Sequence, residues 1–152
     1  MIRHIPNKYS LRYLIEELNY KFKNKYDIVY LPIDYTNNCN LGFAFVNFIH
    51  PLHIVDFYEY FIGKRWKYYL SEKRCELAYA KIQGRNNLLT HFKKGVVMNS
   101  LPQEKKPLIL DICKPFRKIA IHIKHKLQID QYYPNLHYVI RHNYLFLEYN
   151  TC

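Results

Sequence analysis

The chain of 152 residues has the length of one domain, or of one domain with an extension. It carries 23 lysines and arginines against 12 acidic residues, a formal charge of +11, and 17% of its residues are aromatic; this combination favours nucleic acid as a partner, because phosphates attract cations and bases stack on rings. The apolar fraction of 49% excludes wholesale disorder, and no apolar run reaches the roughly 18–20 residues of a membrane-spanning helix.

Apolar periodicity predicts a strand, a helix and a second strand at the start of the chain. Residues 1–5 are apolar and end at Pro6, which indicates a short strand followed by a loop. Ser10 is a good N-cap, and apolar residues then recur along one face of a helix that runs to about Lys21. Residues 28–34 alternate in polarity, which predicts a half-buried strand.

The next part of the chain adds a strand, a helix and a strand. Residues 36–40 are turn-rich and lead into a strand over residues 41–48. Pro51 opens a second helix that ends before Gly63, and residues 75–81 close the set as a strand. The order β-α-β-β-α-β predicts an α+β ferredoxin-like sandwich, the split βαβ arrangement.

The pattern changes after this set. Residues 85–92 predict a third short helix, so we assign residues 1–94 to one domain, residues 95–107 to a linker and residues 108–152 to a C-terminal extension. The extension is rich in large apolar side chains. We therefore expect it to pack on the domain, beside the helices or along a sheet edge, where an added strand would satisfy unpaired backbone groups.

The octamer LGFAFVNF at residues 41–48 matches the main signature of the RNA recognition motif at seven of eight places. On a strand alternate side chains share a face, so Phe43 and Phe45 point together and form a platform on which two unstacked bases can lie. Gly42 leaves room for a nucleic-acid backbone. The intervening side chains point into the core: Ala44, Val46 and Phe48.

Further stretches accompany the octamer in a fixed order over about residues 1–110. They are MIRHIPNKY, YLPID, CNLGFAFVNF, GKRW, LAYAKIQG, the residues Leu88, Leu89, His91 and Phe92, and the pair Met98 and Asn99. Together they resemble the C-terminal RNA recognition motif of Mei2-like proteins. The resemblance implies an RNA-binding domain in a family linked to meiotic entry and to control of growth or differentiation, and hence a role in post-transcriptional regulation.

The sequence departs from the family pattern at three places. Leu41 replaces the basic first residue of the signature, as the family's own apolar residue does. Met1 stands where many RNA recognition motifs carry a ring on the first strand, so the platform is predicted to have two rings. His4 stands where the family generally has asparagine, which changes the hydrogen bonding available there.

Candidate RNA-binding residues lie on the open sheet face and just after the fourth strand. They are Phe43, Phe45, Met1, Arg3, Tyr30, Asn47, Lys81, Gln83 and Arg85. Alternation places Ile28 beside Tyr30 on the open face, and Ile2 and Ile5 in the core. In the fourth strand it places Leu77 and Tyr79 in the core, and Ala78 and Ala80 on the open face.

Each basic or aromatic candidate also has an ordinary structural interpretation. Arg3 can be a solvated charge near Asp34, and the cations after the fourth strand can simply keep the surface soluble. For the basic residues between Lys64 and Arg74 a solvated loop is the favoured account, and Trp66 is predicted to be a core anchor rather than an exposed stacking group. Part of the richness in lysine, asparagine, isoleucine and tyrosine fits an AT-rich genome.

Within the extension, residues 119–123 suit a strand, although a helix fits too, and residues 138–149 suit a hairpin.

Sequence patterns that would indicate a metal site or an enzyme are weak. His122 and His125 are three apart, but no carboxylate or cysteine accompanies them at ligand spacing. No nucleophile-elbow, P-loop or H-E-x-x-H pattern occurs. We expect no enzyme activity, no cofactor and no metal.

The partner is therefore predicted to be single-stranded RNA, with a protein partner at the helices or the extension as an addition and no membrane. The alternative is a protein-interaction module of the same fold, with the tail or a partner across Phe43 and Phe45. No signal-peptide block opens the chain, so an intracellular protein in the nucleus, the cytoplasm or both is expected. The cysteines form no C-x-x-C pair and are expected to be idle thiols: Cys39, Cys75, Cys113 and Cys152.

Overall fold

A computed structural model describes residues 1–95 and 101–111 of the chain. The elements in chain order are β1 (Ile2–Arg3), α1 (Leu11–Phe22), β2 (Tyr26–Tyr30), β3 (Phe43–Phe48), α2 (His53–Phe61), β4 (Glu76–Leu77), α3 (Arg85–Lys94), a 3-10 helix (Gln103–Lys105) and β5 (Leu108–Ile109). None of the helices in these two ranges has the length and hydrophobicity needed to cross a membrane.

The strands form one antiparallel sheet in the order β4-β1-β3-β2-β5. Residues of α1 and α2 form an apolar core with the inward side chains of the sheet. Rings from three elements meet there, with the Phe57 centroid 5.0 Å from that of Phe22 and 4.9 Å from that of Phe48. The predicted α+β ferredoxin-like βαββαβ arrangement is confirmed.

The first helix follows from its sequence. The Ser10 side chain accepts a hydrogen bond from the backbone N–H of Tyr13 at 3.3 Å, and so caps one of the free donors at the helix start. Leu14, Leu18 and Phe22, spaced four apart, are all buried on one face. The predicted N-cap is confirmed, and the helix ends one residue beyond the predicted end.

The predicted core of the first strand is also confirmed. Ile2 and Ile5 are fully buried, and the Ile5 N–H donates to the Gly42 carbonyl at 3.0 Å. Trp66 is buried, and its Nε1–H donates to the His4 carbonyl at 2.9 Å. It is thus the core anchor that the sequence favours, because its ring is covered and its one polar atom has a partner.

The second strand is buried on both faces, and the prediction that Ile28 lies on the open face is wrong. Ile28 packs in a second apolar cluster with Leu88 and Phe92 of α3, whereas Val29 faces the main core. A strand covered on both sides loses the alternation of buried and exposed residues. The strand also ends at Tyr30, earlier than predicted.

The prediction that Tyr79 is a core residue is also wrong, because it is 41% exposed. Strand β4 ends at Leu77, so alternation does not extend to the residues that follow it. The Ala78 N–H still donates to the Met1 carbonyl at 2.9 Å. Leu77 packs against the core, as predicted.

The start of the extension adds a strand to the free edge of β2. Ile109 pairs with Ile28 and Leu108 pairs with Val29, and the Leu110 N–H donates to the Asp27 carbonyl at 2.8 Å. The contacts divide the chain into two units, residues 1–112 and 113–152, so β5 belongs to the first unit. The strand and hairpin predicted over residues 119–123 and 138–149, and the histidines considered as metal ligands, lie outside the described residues.

Candidate nucleic-acid interface

Three rings form a row on the sheet face opposite α1 and α2. Phe43 and Phe45 are half-buried neighbours on β3, with ring centroids 5.6 Å apart and planes at 82°. The register sets Tyr30 of β2 opposite Phe45, and these rings are 6.4 Å apart with planes at 15°. Sequence reasoning counted two rings because Met1 replaces one on β1. The third comes from β2, where cross-strand pairing brings Tyr30 into line.

Helix α3 lies against the same face, over β2. The Phe92 ring is buried, 5.3 Å from the Tyr30 ring at an angle of 71°. This burial raises the pKa of the Tyr30 phenol above its usual value. The row of rings is therefore bounded by α3 at Tyr30 and continues toward β1 at Phe43.

A buried carboxylate connects two of the predicted RNA-binding residues. Asp27 accepts a hydrogen bond from Asn47 Nδ2 at 2.7 Å, and its other oxygen lies 3.1 Å from Arg85 Nη1. The same Arg85 nitrogen donates to the Leu110 carbonyl at 3.1 Å, and Nη2 lies 3.8 Å from Asp111. The side chains of Asn47 and Arg85 therefore make these hydrogen bonds and ion pairs within the domain. Sequence reasoning missed Asp27, since an acidic residue at a strand start gives no local sign of burial.

Arg3 lies beside the rings. It stands opposite Phe43 in the register, and its Nη1 lies 3.6 Å from Glu76 Oε2. The alternative interpretation placed Arg3 as a solvated charge near Asp34, but the carboxylate beside Arg3 is that of Glu76, whereas Asp34 accepts hydrogen bonds from Thr36 N–H at 2.8 Å and from the Asn37 amide at 3.0 Å. About half of the Arg3 side chain is exposed, so its guanidinium group is accessible to a ligand.

The segment after β4 forms an open groove of about 460 Å³ with α3. Lys81 and Lys94 supply positive charge at this groove, and Gln83 donates from Nε2 to the Ala80 carbonyl at 2.7 Å. The complete lining is Lys81, Ile82, Gln83, Asn87, Thr90, His91 and Lys94. Two of the predicted contact residues, Lys81 and Gln83, are brought together here.

The turn before β3 is fixed by Asn40, a buried residue that sequence reasoning did not single out. Its Nδ2 donates to the carbonyls of Pro6, Asn7 and Tyr9 at 2.7–3.0 Å, and its Oδ1 accepts from the Gly42 N–H at 2.7 Å. Gly42 has a φ of +84°, which disfavours any residue with a Cβ. A glycine is therefore needed here for its backbone conformation.

No group of three or more metal-ligating side chains occurs within residues 1–95 and 101–111. Of the cysteines, Cys39 is a free, half-buried thiol and Cys75 is free and fully buried. Desolvation, with the nearby Glu17 carboxylate, raises the pKa of the Cys75 thiol to about 12, so it stays protonated at neutral pH.

Residues 1–93 match the family described as RNA recognition motif 2. The chain is 50% identical over 99 residues to Protein MEI2-like 2 of Oryza sativa subsp. japonica, which is 65% of this chain and 12% of the relative. It is 44% identical over 111 residues to Protein MEI2-like 5 of Arabidopsis thaliana, 73% of this chain and 14% of the relative. The resemblance to Mei2-like proteins is thereby confirmed. The chain spans a small fraction of the length of these relatives.

Proposed function

Because the chain belongs to the RNA recognition motif 2 family, we propose that the first unit binds single-stranded RNA on its sheet face. The family supports RNA binding in general. The observation that carries the finer proposal is the row of half-buried rings on strand neighbours, Phe43, Phe45 and Tyr30, with the exposed Arg3 beside it. Bases in a duplex cannot reach such rings, whereas bases of a single strand can.

The ring geometry suits unstacked bases. Each base that stacks on a ring gains about 1–3 kcal/mol. Since the planes of Phe43 and Phe45 differ by 82°, two bases stacked on them must be splayed apart rather than parallel. Tyr30 is nearly parallel to Phe45 and contacts α3, so it extends the platform at the side where α3 limits access.

Phosphates are the second group that the interface recognises in this proposal. Arg3, Lys81 and Lys94 are exposed cations on the two sides of the platform. Arginine in particular matches phosphate with a planar fork of donors. Asn47 and Arg85 act differently in this proposal, because through Asp27 they position β3, β2 and α3. Met1, which precedes the buried Ile2 and pairs with Ala78, extends the open face toward β4, and Gln83 contacts RNA from the groove beside α3.

The direct test is a titration of the full chain with fluorescently labelled random-sequence single-stranded RNA, followed by anisotropy at two salt concentrations. We expect saturable binding that weakens as salt rises, and poor competition by duplex DNA of the same length. Absence of saturable binding, or equal binding of the duplex, would contradict the proposal.

A second candidate function is a protein-interaction module of the same fold. The observation that favours it is that α3 already covers part of the sheet face, with Phe92 on Tyr30. In that case the tail or a protein partner would occupy the platform. A chain truncated after residue 112 distinguishes the two functions: higher RNA affinity on truncation indicates a covered platform.

The cellular role rests on the resemblance. We propose that the bound RNA is controlled after transcription during meiosis or differentiation, in the nucleus, the cytoplasm or both. Crosslinking of the chain to cellular RNA across meiotic entry tests this role. We expect enrichment of a defined set of transcripts, and an unchanged, unselective RNA profile would contradict it.

A further inference from the structure

Residues 62–75, between α2 and β4, form a hairpin that extends the open sheet face with two arginines. Arg65 and Arg74 form an antiparallel bridge, next to which the Gly63 N–H donates to the Cys75 carbonyl at 2.8 Å. Cross-strand partners share a face. Cys75 is buried, so Arg74 and Glu76 on either side of it point to the opposite, open face. Arg65, opposite Arg74, lies on that face too.

These arginines are in line with the platform. The register sets Arg3 opposite Phe43 on β3 and opposite Glu76 on β4. Two residues before Glu76, just ahead of β4, Arg74 lies on the same face, and its cross-strand partner Arg65 follows. We call the three exposed arginines, Arg3, Arg74 and Arg65, the arginine stripe.

The two hairpin arginines of the stripe, Arg65 and Arg74, favour an anionic ligand, since the carboxylate in line with the stripe, that of Glu76, lies 3.6 Å from Arg3 Nη1. Like charges directly opposite one another destabilise a sheet. Arg65 lies 3.0 Å from Glu72 in a pair whose members are 58% and 89% exposed, and such pairs contribute little. Across the two described ranges no carboxylate lies within 4.0 Å of Arg74, whose Nη1 donates to the Gly63 carbonyl at 3.1 Å. Arg65 and Arg74 can therefore both offer guanidinium donors to a phosphate.

The other side of the platform is less accessible. Ile28 and Phe92 join α3 to β2, so an RNA strand that leaves the rings past Tyr30 meets this helix. An RNA strand that leaves the rings past Phe43 reaches Arg3 and then the hairpin. We propose that the arginine stripe binds the phosphates of an RNA strand that leaves the platform across the β4 edge. This rests on the proposed function and names the path of the RNA.

The test compares short and long RNA on the full chain. Random-sequence RNA of 4 and of 12 nucleotides is titrated into the wild type, Arg65→Gln with Arg74→Gln, and a control, Arg12→Gln with Lys23→Gln. The control removes the same charge from exposed positions on and just after α1. We expect the stripe variant to bind the 12-mer about ten-fold more weakly, with a salt slope smaller by about 1.4, since each phosphate contact contributes about 0.7. The 4-mer and the control should bind as the wild type does.

Three outcomes would overturn the proposal: equal binding of the 12-mer by the stripe and control variants, equal losses for both RNA lengths, or no RNA binding by the wild type. Phe43→Ala with Phe45→Ala, measured in parallel, separates the two proposals. Normal binding by this variant refutes the stacking platform, whereas its loss together with normal binding by the stripe variant refutes the stripe alone. If the double stripe variant does not fold, Arg65→Gln alone leaves the Arg74 bond to Gly63 intact and should reduce the slope by about 0.7.

Discussion

Arg85 Nη1 lies 3.1 Å from Asp27 Oδ2 and, at the same time, donates to the Leu110 carbonyl at 3.1 Å. One guanidinium group therefore joins the start of α3 to β2 and to the residue that follows β5. The Asp27 side chain is 10% exposed, so its charge has little water to stabilise it and depends on Arg85 and Asn47.

Removal of this arginine should destabilise the first unit. Arg85→Met keeps the apolar stem but leaves the buried Asp27 carboxylate without its cation, and we expect a loss of about 1–3 kcal/mol in the free energy of unfolding. Adding Asp27→Asn should restore part of the loss, because the unpaired charge is then gone. Urea unfolding monitored by circular dichroism measures both. Arg12→Met, in an exposed pair with Glu16, is the control, and a loss no larger than in the control contradicts the prediction.

The platform makes a prediction about affinity. Phe43→Ala with Phe45→Ala should weaken single-stranded RNA binding by about 2–6 kcal/mol if the two stacking contributions add. The fold should survive, since both rings are half-buried on the open face. Tyr20→Ala, which removes an 80% exposed ring from α1, should leave the affinity unchanged. Anisotropy gives the dissociation constants, and an unchanged value in the folded double variant rules out the platform.

The basic side chains around the platform should make the affinity for RNA depend on salt. Three or four phosphate contacts to basic side chains should give a slope of about −2 to −3 in a plot of log K against log salt, at about −0.7 per contact. The double ring variant should keep this slope while its affinity falls, because stacking releases no counterions. A flat plot for the wild type would remove the phosphate contacts from the mechanism.

Local patterns predicted those features that depend on neighbours along the chain. The Ser10 cap, the buried face of α1 and the shared face of Phe43 and Phe45 all follow from spacing within one element. The order of elements and the resemblance then gave the fold, because each predicted strand had a place in a known arrangement.

Features that depend on contacts between distant segments could not be predicted. Ile28 was placed on the open face because its strand alternates, yet α3 covers it. Asp27 carries no local sign of its bonds to Asn47 and Arg85, which lie on other elements. Alternation predicted Tyr30 on the open face, but its position in line with Phe45 depends on the β2–β3 register.

Alkaline pH should destabilise the fold through buried acidic groups, among them Cys75, Tyr26 and Tyr9, whose pKa values burial raises. Burial raises the pKa of Cys75 from 9.0 to about 12 and that of Tyr26 from 10.0 to about 12. Their stabilising effect is complete below pH 9. Between pH 9 and 12 the unfolded chain releases these protons and the folded chain retains them, so stability falls by up to about 1.4 kcal/mol per pH unit for each group.

Urea unfolding from pH 7.5 to 10.5 checks the alkaline loss. In Cys75→Ala the fall should begin about one pH unit later, near pH 10, since the buried tyrosines Tyr9 and Tyr26 are then the groups that titrate. Comparison of slopes rather than of absolute stabilities removes the effect of the smaller side chain. Superimposable pH profiles of the variant and the wild type would contradict the assignment to Cys75.

Strand β5 should set the shortest chain that keeps the stability of the first unit. Truncation after Lys106 removes β5 and with it the pairing of Leu108 and Ile109 to the β2 edge, the Leu110 bond to the Asp27 carbonyl and the Arg85 bond to Leu110. Truncation after residue 112 keeps all of these. We expect the shorter chain to be clearly less stable in urea than the longer one, because an edge strand and its bonds to Asp27 and Arg85 are lost.

The two truncations should differ little in RNA affinity, within a few-fold of the full chain, because β5 pairs with β2, whereas Phe43 and Phe45 lie on β3, with β2 between them and β5. Equal stability of the two truncated chains would show that β5 does not support the domain. A strong rise in affinity after removal of residues 113–152 would mean that these residues cover the platform. The protein-interaction function would then take precedence over RNA binding by an open sheet.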